Sequence, residues 1–307
     1  MTTNKKTALR KLLTENRMII APGCYDAFSA RILGHMGFKT IYVTGFGMEA
    51  SILGTPDIGL TTMSEFVRRG RNIAEAVSVP VIVDSDVGFG GVLNVYRTVK
   101  EFDHAGVAAI HIEDQSLPKK CPVITPPAVI EIEEMVAKIK AAKRAVEDTE
   151  TKDFVIIARS DFPSRPEEKM DALKKRFSAY LEAGADLIFP VGVPFPRLEE
   201  IHELAKEFKN KVFTMSFVGL AGKEKKIYAD RIATAAELSE AGAKMVVYPL
   251  LGLQAVGRAI QQIYAPLLEG EEPSEAKCQE NCLEFNEMFD ILKVPKWLDL
   301  ERTLTQT

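Results

Sequence analysis

Apolar residues gather in eight short runs along the chain, at 18–21, 40–44, 79–84, 108–113, 154–159, 186–191, 211–216 and 244–249. The runs are rich in Val and Ile and mostly lack polar alternation, which is the pattern of strands buried on both faces in a parallel sheet. Longer stretches with helical periodicity separate most of them. In 94–104, for example, Val95, Val99 and Phe102 recur at helical spacing. Gly37, Gly106, Gly184 and Gly242 each follow an amphipathic helix pattern, and each precedes a strand residue by four positions: Ile41, Ile110, Ile188 and Val246. Glycine just past a helix end accepts the left-handed conformation that stops the helix. Eight strand–helix units therefore predict an α/β fold of the (β/α)8 TIM-barrel type, for which about 250 residues is the usual size. An open doubly wound sheet is the alternative. Against it, no strand leads into a GxGxxG turn, and the glycines of 88–91 lack that spacing.

The charged segment 268–273 (LEGEEP) breaks the pattern. After it, 274–292 reads as one helix with Cys278, Cys282, Phe285, Met288 and Leu292 along one side. Two parts follow: a catalytic barrel over 1–267 and a helical tail over 268–307. An apolar helix beyond the eighth strand needs a partner surface, on its own barrel or on another subunit, so the tail is expected to serve oligomerisation.

The 307 residues carry a formal net charge of −4, with 46% hydrophobic and 27% charged side chains, a balance that excludes a disordered chain. Mild acidity with scattered Lys and Arg argues against a nucleic-acid partner. No apolar run approaches the roughly 20 residues of a membrane span. The opening segment MTTNKKTALRKLLTENR reads as a polar amphipathic helix rather than a signal peptide. Cys24, Cys121, Cys278 and Cys282 are too few for a disulfide framework and lack paired zinc spacing, so a reduced, cytoplasmic protein is expected.

In such barrels chemistry sits at the carboxyl ends of the strands. Those ends read Thr44-Gly45-Phe46, Asp84-Ser85-Asp86, Glu113-Asp114 and Arg159-Ser160-Asp161, with Asp57 in the loop after the second strand. Carboxylates about 5 Å apart repel by roughly 3 kcal/mol per pair at an effective dielectric of 20. Either their pKa values rise or a cation sits among them. With oxygen ligands and no convergent His or Cys, that cation is Mg2+, or Mn2+. Singly, each acid reads first as a helix cap or an ion-pair partner; the set gathered on one rim favours the metal. Arg159 suits a bidentate grip on a substrate carboxylate, or else pairs with a nearby Asp. Cys121, between lysines in the Pro-bounded loop 117–127, has surroundings expected to lower its pKa, although a lone loop cysteine is more often inert. Cys24 reads as packing, His35, His104 and His202 as solvated helix residues, and His111 as a hydrogen-bonded core histidine.

The chain resembles the isocitrate lyase and phosphoenolpyruvate mutase superfamily, and most of all its 2-methylisocitrate lyase and 2,3-dimethylmalate lyase branch. The resemblance starts at Pro22-Gly-Cys-Tyr-Asp-Ala27 and runs to the C-terminal helix. Its specific motifs are Tyr42-Val-Thr-Gly-Phe46, Asp84-Ser-Asp-Val-Gly-Phe-Gly90, His111-Ile-Glu-Asp-Gln115, Pro118-Lys-Lys-Cys121 and Ile157-Ala-Arg-Ser-Asp161. What it implies is an eight-stranded barrel whose last helix is swapped onto a neighbouring subunit, with dimers of swapped pairs forming a homotetramer. Mg2+ is then held by Asp57, Asp84, Asp86 and Glu113, largely through water. Tyr42, Thr44, Gly45, Phe46 and Arg159 bind the small carboxylic acid substrate. Catalysis falls to Cys121, Lys119 and Arg159, on a loop that closes over the site and at its base. Mutases of the family have asparagine at the position of Cys121, which favours a lyase.

The chain also departs from the lyase pattern. Pro122-Val123 stands where Gly-His is usual, Val191 where many lyases have glutamate, and Thr214-Met215-Ser216 where an asparagine-bearing run is common. Val87 and Phe89 replace threonine and tyrosine, which removes two hydroxyls. A less polar pocket and a smaller or more alkylated substrate are expected. The expected reaction is Mg2+-dependent cleavage of a 2-hydroxy-dicarboxylate, of 2-methylisocitrate or alkylated malate type, to an α-keto acid such as pyruvate and a second acid. The alternatives are oxaloacetate hydrolysis or decarboxylation, phosphonopyruvate-type mutation or hydrolysis, and a keto-acid-binding homologue without turnover.

Overall fold

The computed structural model describes residues 4–306 apart from 165, 167, 194, 217 and 219–231. Helix α1 (Lys5–Thr14) precedes strand β1 (Ile19–Cys24), and α2 (Ala27–His35) leads to β2 (Ile41–Val43). Two helices, α3 (Gly45–Ile52) and α4 (Met63–Ala76), separate β2 from β3 (Val81–Asp84). Then α5 (Val92–His104) leads to β4 (Ala109–Glu113), α6 (Ile132–Glu147) to β5 (Val155–Ser160), and α7 (Glu168–Glu182) to β6 (Leu187–Pro190). Next, α8 (Leu198–Glu207) leads to β7 (Phe213–Met215) and α9 (Ala235–Glu240) to β8 (Met245–Tyr248). Beyond β8 lie α10 (Leu251–Tyr264), α11 (Glu275–Asn281), α12 (Phe285–Leu292) and α13 (Val294–Thr305).

Each of the eight apolar runs overlaps one of these strands, with β1 and β5 extending past the ends of theirs. All pairings are parallel, in the order β6-β5-β4-β3-β2-β1-β8-β7. The two ends of that order meet at a parallel bridge between Ile188 and Val212, with the Ile188 N–H donating to Lys211 O at 2.9 Å, so the sheet closes into a (β/α)8 barrel. The unbroken apolar runs are explained by burial on both faces. Tyr42, Ile82, Ile157, Phe189, Phe213 and Val247 fill the barrel interior. Their neighbours Ile41, Val43, Val81, Val83, Ile110 and Ile112 pack outward under the helices. Gly37, Gly106, Gly184 and Gly242 all adopt positive φ, between +79° and +110°, as helix-ending residues should.

The floor of the barrel comes from α1. Leu9 is fully buried within the interior cluster. Arg10 fastens the helix across two strand starts: it donates to Asp153 O (3.0 Å) and Phe154 O (2.8 Å) and is ion-paired with Asp186.

The expected single tail helix is instead two. It stops at Asn281, whose side-chain amide donates to Lys277 O (3.0 Å). Cys282 is extended, and a new helix starts after the extended Glu284. An amide that hydrogen-bonds the last turn's backbone competes with continuation of the helix. Cys282 therefore lies in the break, not on the apolar side of a helix. A further helix, α13, follows the left-handed Lys293. Ile291 of α12 is buried on the barrel side, where α12 packs on α2. In contrast α10 buries no residue, and Ile20, on β1, is 39% exposed. Among the described residues no helix is long and apolar enough to cross a membrane.

Leu9 has no solvent contact to fall back on, and large-to-small changes at such sites leave a cavity. Leu9→Ala should cost about 2–5 kcal/mol, read as a lowered urea midpoint with an unchanged slope.

Candidate active site

Acidic side chains converge at the carboxyl ends of β2 to β5, and backbone geometry fixes each one. Asp84 ends β3. Its Oδ2 accepts the N–H of Gly45 at 3.2 Å and its Oδ1 the N–H of Asp86 at 3.0 Å. A Cβ on Gly45 would lie 2.6 Å from Asp84 Oδ2, so only glycine lets the first amide of α3 come this close. Thr44 caps the same helix by accepting the N–H of Gly47. Asp86 sits in the left-handed region (φ 49°), and its carbonyl accepts the N–H of Glu113 at 2.9 Å. Glu113 and Arg159 are register partners on β4 and β5, as Asp84 and His111 are on β3 and β4. Parallel pairing thus sets acid beside base without any loop.

Two cations tie the acids together. Arg159 Nη1 lies 2.9 Å from Glu113 Oε2 and 3.9 Å from Asp84 Oδ2, while Nη2 lies 3.1 Å from Asp161 Oδ1. Lys119, from the loop after β4, is ion-paired with Asp57 and with Asp86 (2.5 Å). All seven side chains are buried. Five carboxylates thus face two fixed positive charges.

The acids respond to burial. Desolvation raises Asp57 and Glu113 above the usual carboxylate range despite Lys119 and Arg159, and takes Asp86 to about 7. Asp84 goes the other way. Burial opposes its ionisation, but His111, Arg159 and Lys119 hold it below the usual range. Burial also brings His111 down to about 4, so its ring is neutral at pH 7 and the two permanent cations carry the pull on Asp84. The imidazole stacks on Tyr42, shares a 2.8 Å hydrogen bond with the Tyr42 hydroxyl, and lies 3.5 Å from Asp84. It is a hydrogen-bonded core histidine, and it is also part of the site wall.

The donor set suits a hydrated hard cation. Among the described residues no three His, Cys, Asp or Glu side chains close on one point as direct ligands would. Mg2+ does not require that, because it usually keeps several waters and takes only one or two carboxylates directly. Glu113 Oε1 is buried without a hydrogen-bond partner, and the buried carboxylates outnumber the cations, so further positive charge would be favoured there.

Cys121 lies on the loop that delivers Lys119. Its N–H donates to Asp57 O (2.9 Å), and Lys120 N–H donates to Gln115 Oε1 (3.1 Å). Further along, Ile130 N–H returns to Asp114 O (2.8 Å). The expectation of a lowered thiol pKa is overturned: burial, reinforced by Asp57, raises Cys121 to about 12. Lys119 is already engaged by two carboxylates and offsets little of this. The group is a thiol at neutral pH, suited to giving a proton.

The structure brings the expected site residues together: Thr44, Gly45, Asp57, Asp84, Asp86, Glu113, Lys119 and Arg159 line one rim, with Tyr42 in the barrel interior beneath it, Cys121 beside it and Phe46 half-buried on α3. The sequence names Asp114 and Asp161 only as strand-end acids, not as supports, and leaves Glu49 unnamed. Glu49, fully buried, accepts the N–H groups of Ile58 and Thr61 at 3.1 Å each and so fixes the loop carrying Asp57. A lone acid inside the apolar stretch 45–52 was its signal. Asp161 holds Arg159 and accepts from Gln115 Nε2 (2.9 Å). Asp114 accepts from Ser160 (2.7 Å), Tyr180 (2.8 Å) and the N–H of Asp161 (2.9 Å), which locks the turn after β5.

Comparison with known proteins agrees with this geometry. The profile of the phosphoenolpyruvate phosphomutase family matches residues 9–268. The 2,3-dimethylmalate lyase of Eubacterium barkeri is 37% identical over 298 residues, covering 97% of this chain and 97% of that enzyme. Among solved structures, oxaloacetate acetylhydrolase in complex with 3,3-difluorooxalacetate superposes with a TM-score of 0.84 at 27% identity, over 98% of this chain and 97% of the other. Phosphonopyruvate hydrolase in complex with oxalate and Mg2+ superposes with a TM-score of 0.81 at 27% identity, over 98% and 99%.

The raised acids give the stability a sign. A carboxylate whose folded pKa lies above its unfolded value stabilises the fold while protonated, and that contribution is lost as pH rises through the folded value. For Asp86 the window runs from 3.8 to about 7, and Asp57 and Glu113 act in the same sense. Asp84 opposes them only below that window. His111, lowered from 6.5 to about 4, opposes them up to pH 6.5. In chelator, the urea midpoint should therefore fall between pH 6.5 and pH 8, where only the raised acids still titrate; a rising profile there would contradict the cluster's electrostatics.

Proposed function

The chain belongs to the phosphoenolpyruvate mutase and isocitrate lyase superfamily, and on that premise we propose that it is a divalent-metal-dependent lyase. Its reaction is cleavage of a carbon–carbon bond in a 2-hydroxy-dicarboxylate, of 2-methylisocitrate or alkylated malate type, to an α-keto acid such as pyruvate and a second acid. The observation that carries this reading is the acid-rich rim with a protonated thiol on the loop beside it. Asp57, Asp84, Asp86 and Glu113 would hold Mg2+, or Mn2+, largely through water. When bound, that ion supplies electrostatic stabilisation of the oxygen charge that develops on bond cleavage.

The remaining steps fall to the protein's own groups. Backbone N–H groups at the start of α3, with Thr44 and Tyr42 nearby, receive the carboxylate of the keto-acid half, at the positive end of the helix. Arg159, released from Glu113 by a competing anion, grips a substrate carboxylate. A carboxylate of the cluster takes the hydroxyl proton. The carbon–carbon bond then breaks, its electron pair passing to the second acid as an enolate while the hydroxyl carbon becomes a carbonyl. Lys119 balances the enolate oxygen, and the Cys121 thiol donates its proton to the enolate carbon. The proton held by the cluster restores the thiol.

The four cysteines, all free, suit the reducing cytoplasm. The uncovered faces of α10 and of β1 around Ile20, with Phe285, Trp297 and Leu304 exposed on the tail, are matched by a second copy exchanging its terminal helices. A homotetramer of such exchanged pairs is the assembly we infer.

With Mg2+ and candidate alkylated malates or 2-methylisocitrate, keto-acid release should appear in a coupled assay and vanish in chelator. Cys121→Ser should lower turnover about 100-fold or more, within the range of general acid catalysis, while leaving oxalate binding in place. Retained turnover in Cys121→Ser would point instead to hydrolysis, decarboxylation or phosphoryl mutation. Oxalate binding without turnover of any candidate would leave a keto-acid-binding protein. Light scattering at micromolar protein should report a multiple of the 34.0 kDa chain. A monomeric mass would remove the exchanged-tail assembly.

A further inference from the structure

A cavity of about 460 Å3 opens beside the acid cluster, bounded by Asp86 and Lys119 on one side. That volume is within the range of small-molecule sites. Most of the surface it exposes is apolar, from Ile58, Met63, Val87, Phe89 and Leu117, with Thr62, Ser64, Asn94 and Arg97 among the polar residues on its walls. Arg97 is exposed, its side chain at 66%. The two residues that set this chain apart from the hydroxyl-bearing pattern at the third strand end, Val87 and Phe89, both line this one space.

The cavity is built by the fold. Asp86, Gly88, Phe89 and Gly90 all hold positive φ (49°, 80°, 59° and 139°). For Phe89 this conformation is costly, and it persists only where the surroundings enforce it. The ring is held by edge-to-face packing on Phe66, with centroids 5.4 Å apart. Met63 is held by the Thr98 hydroxyl, 3.4 Å from its sulfur. Opposite, Thr61 is 5% exposed, and its hydroxyl has no hydrogen-bond partner. That donor is a buried polar group left unsatisfied beside the apolar side chains.

We propose that this cavity receives the alkyl branch on carbon 3 of the 2-hydroxy-dicarboxylate and selects branches longer than methyl. The inference rests on the lyase reading for its substrate but on the cavity alone for its chemistry. A space this large, with apolar walls, leaves most of its surface uncontacted around a single methyl group. Seating one methylene in such a pocket is worth about 10–200-fold in specificity. The preference should therefore climb along a series of 3-methyl, 3-ethyl and 3-propyl malates and carry no dependence on the keto-acid end.

Two measurements test it separately from the reaction. The first titrates protein carrying 13C-methyl methionine with pentanoate, the acid that a 3-propyl substrate would release. The Met63 methyl resonance, assigned through Met63→Leu, should shift with saturation, and acetate should leave it unmoved. No shift with pentanoate, or equal shifts with both, overturns the proposal whether or not the protein turns over. The second compares kcat/KM for the malate series in the wild type, Met63→Phe and Met63→Trp, with thermal melts to confirm folding. Filling the cavity should cost 3-propylmalate at least ten-fold, carried by KM, and leave 3-methylmalate within about two-fold. An equal loss on both substrates overturns the cavity's role and leaves the lyase standing. A saturable Met63 shift in a protein that cleaves none of them leaves the pocket standing and removes the lyase.

Discussion

The constraint on which the site depends is an unpaid charge: five buried carboxylates are held by only two cations. Acids removed from water either take up protons or gather positive charge. Asp57, Asp86 and Glu113 are pushed towards protonation, whereas Asp84, closest to the centre of the network, stays ionised. A cluster so arranged has its free energy lowered by a small doubly charged ion.

The cluster holds its geometry because the acids are placed by backbone. Glu113 opposes Arg159, and Asp84 opposes His111, by strand register alone. Where loops contribute, a second buried acid fixes each of them: Glu49 behind Asp57, and Asp114 behind the turn after β5. These supports bury further charge and further hydrogen bonds. Removal of one partner from such a network leaves the other stranded, so they carry as much of the site's precision as the residues facing the ligand.

Much of this was legible before any coordinates. Eight apolar runs without alternation name a doubly covered parallel sheet, and the four helix-ending glycines mark how each turn re-enters it. The acids were legible because strand ends in a barrel share one rim. Three things were not. The Cys121 thiol sits among lysines in sequence but beside Asp57 in space, and burial outweighs neighbour identity. Glu49 and Asp161 act through backbone amides and through Arg159, partners that periodicity does not reveal. The tail's break at Cys282 hangs on one amide, Asn281, turning back on its own helix, whereas side-chain spacing of 3 and 4 continues smoothly across it.

The N-terminal helix has a consequence for how the chain is made. Its Leu9 belongs to the barrel's inner cluster, and its Arg10 is satisfied by Asp153, Phe154 and Asp186. During synthesis Lys5 and Lys6 meet their partners Ala74 and Asp103 first, whereas the partners of Arg10 come only with strands five and six, and β1 stays one-sided until β8 arrives. The docking place of α1 is thus assembled in stages as the nascent polypeptide lengthens, and closure of the cylinder is deferred to the moment its last wall is delivered.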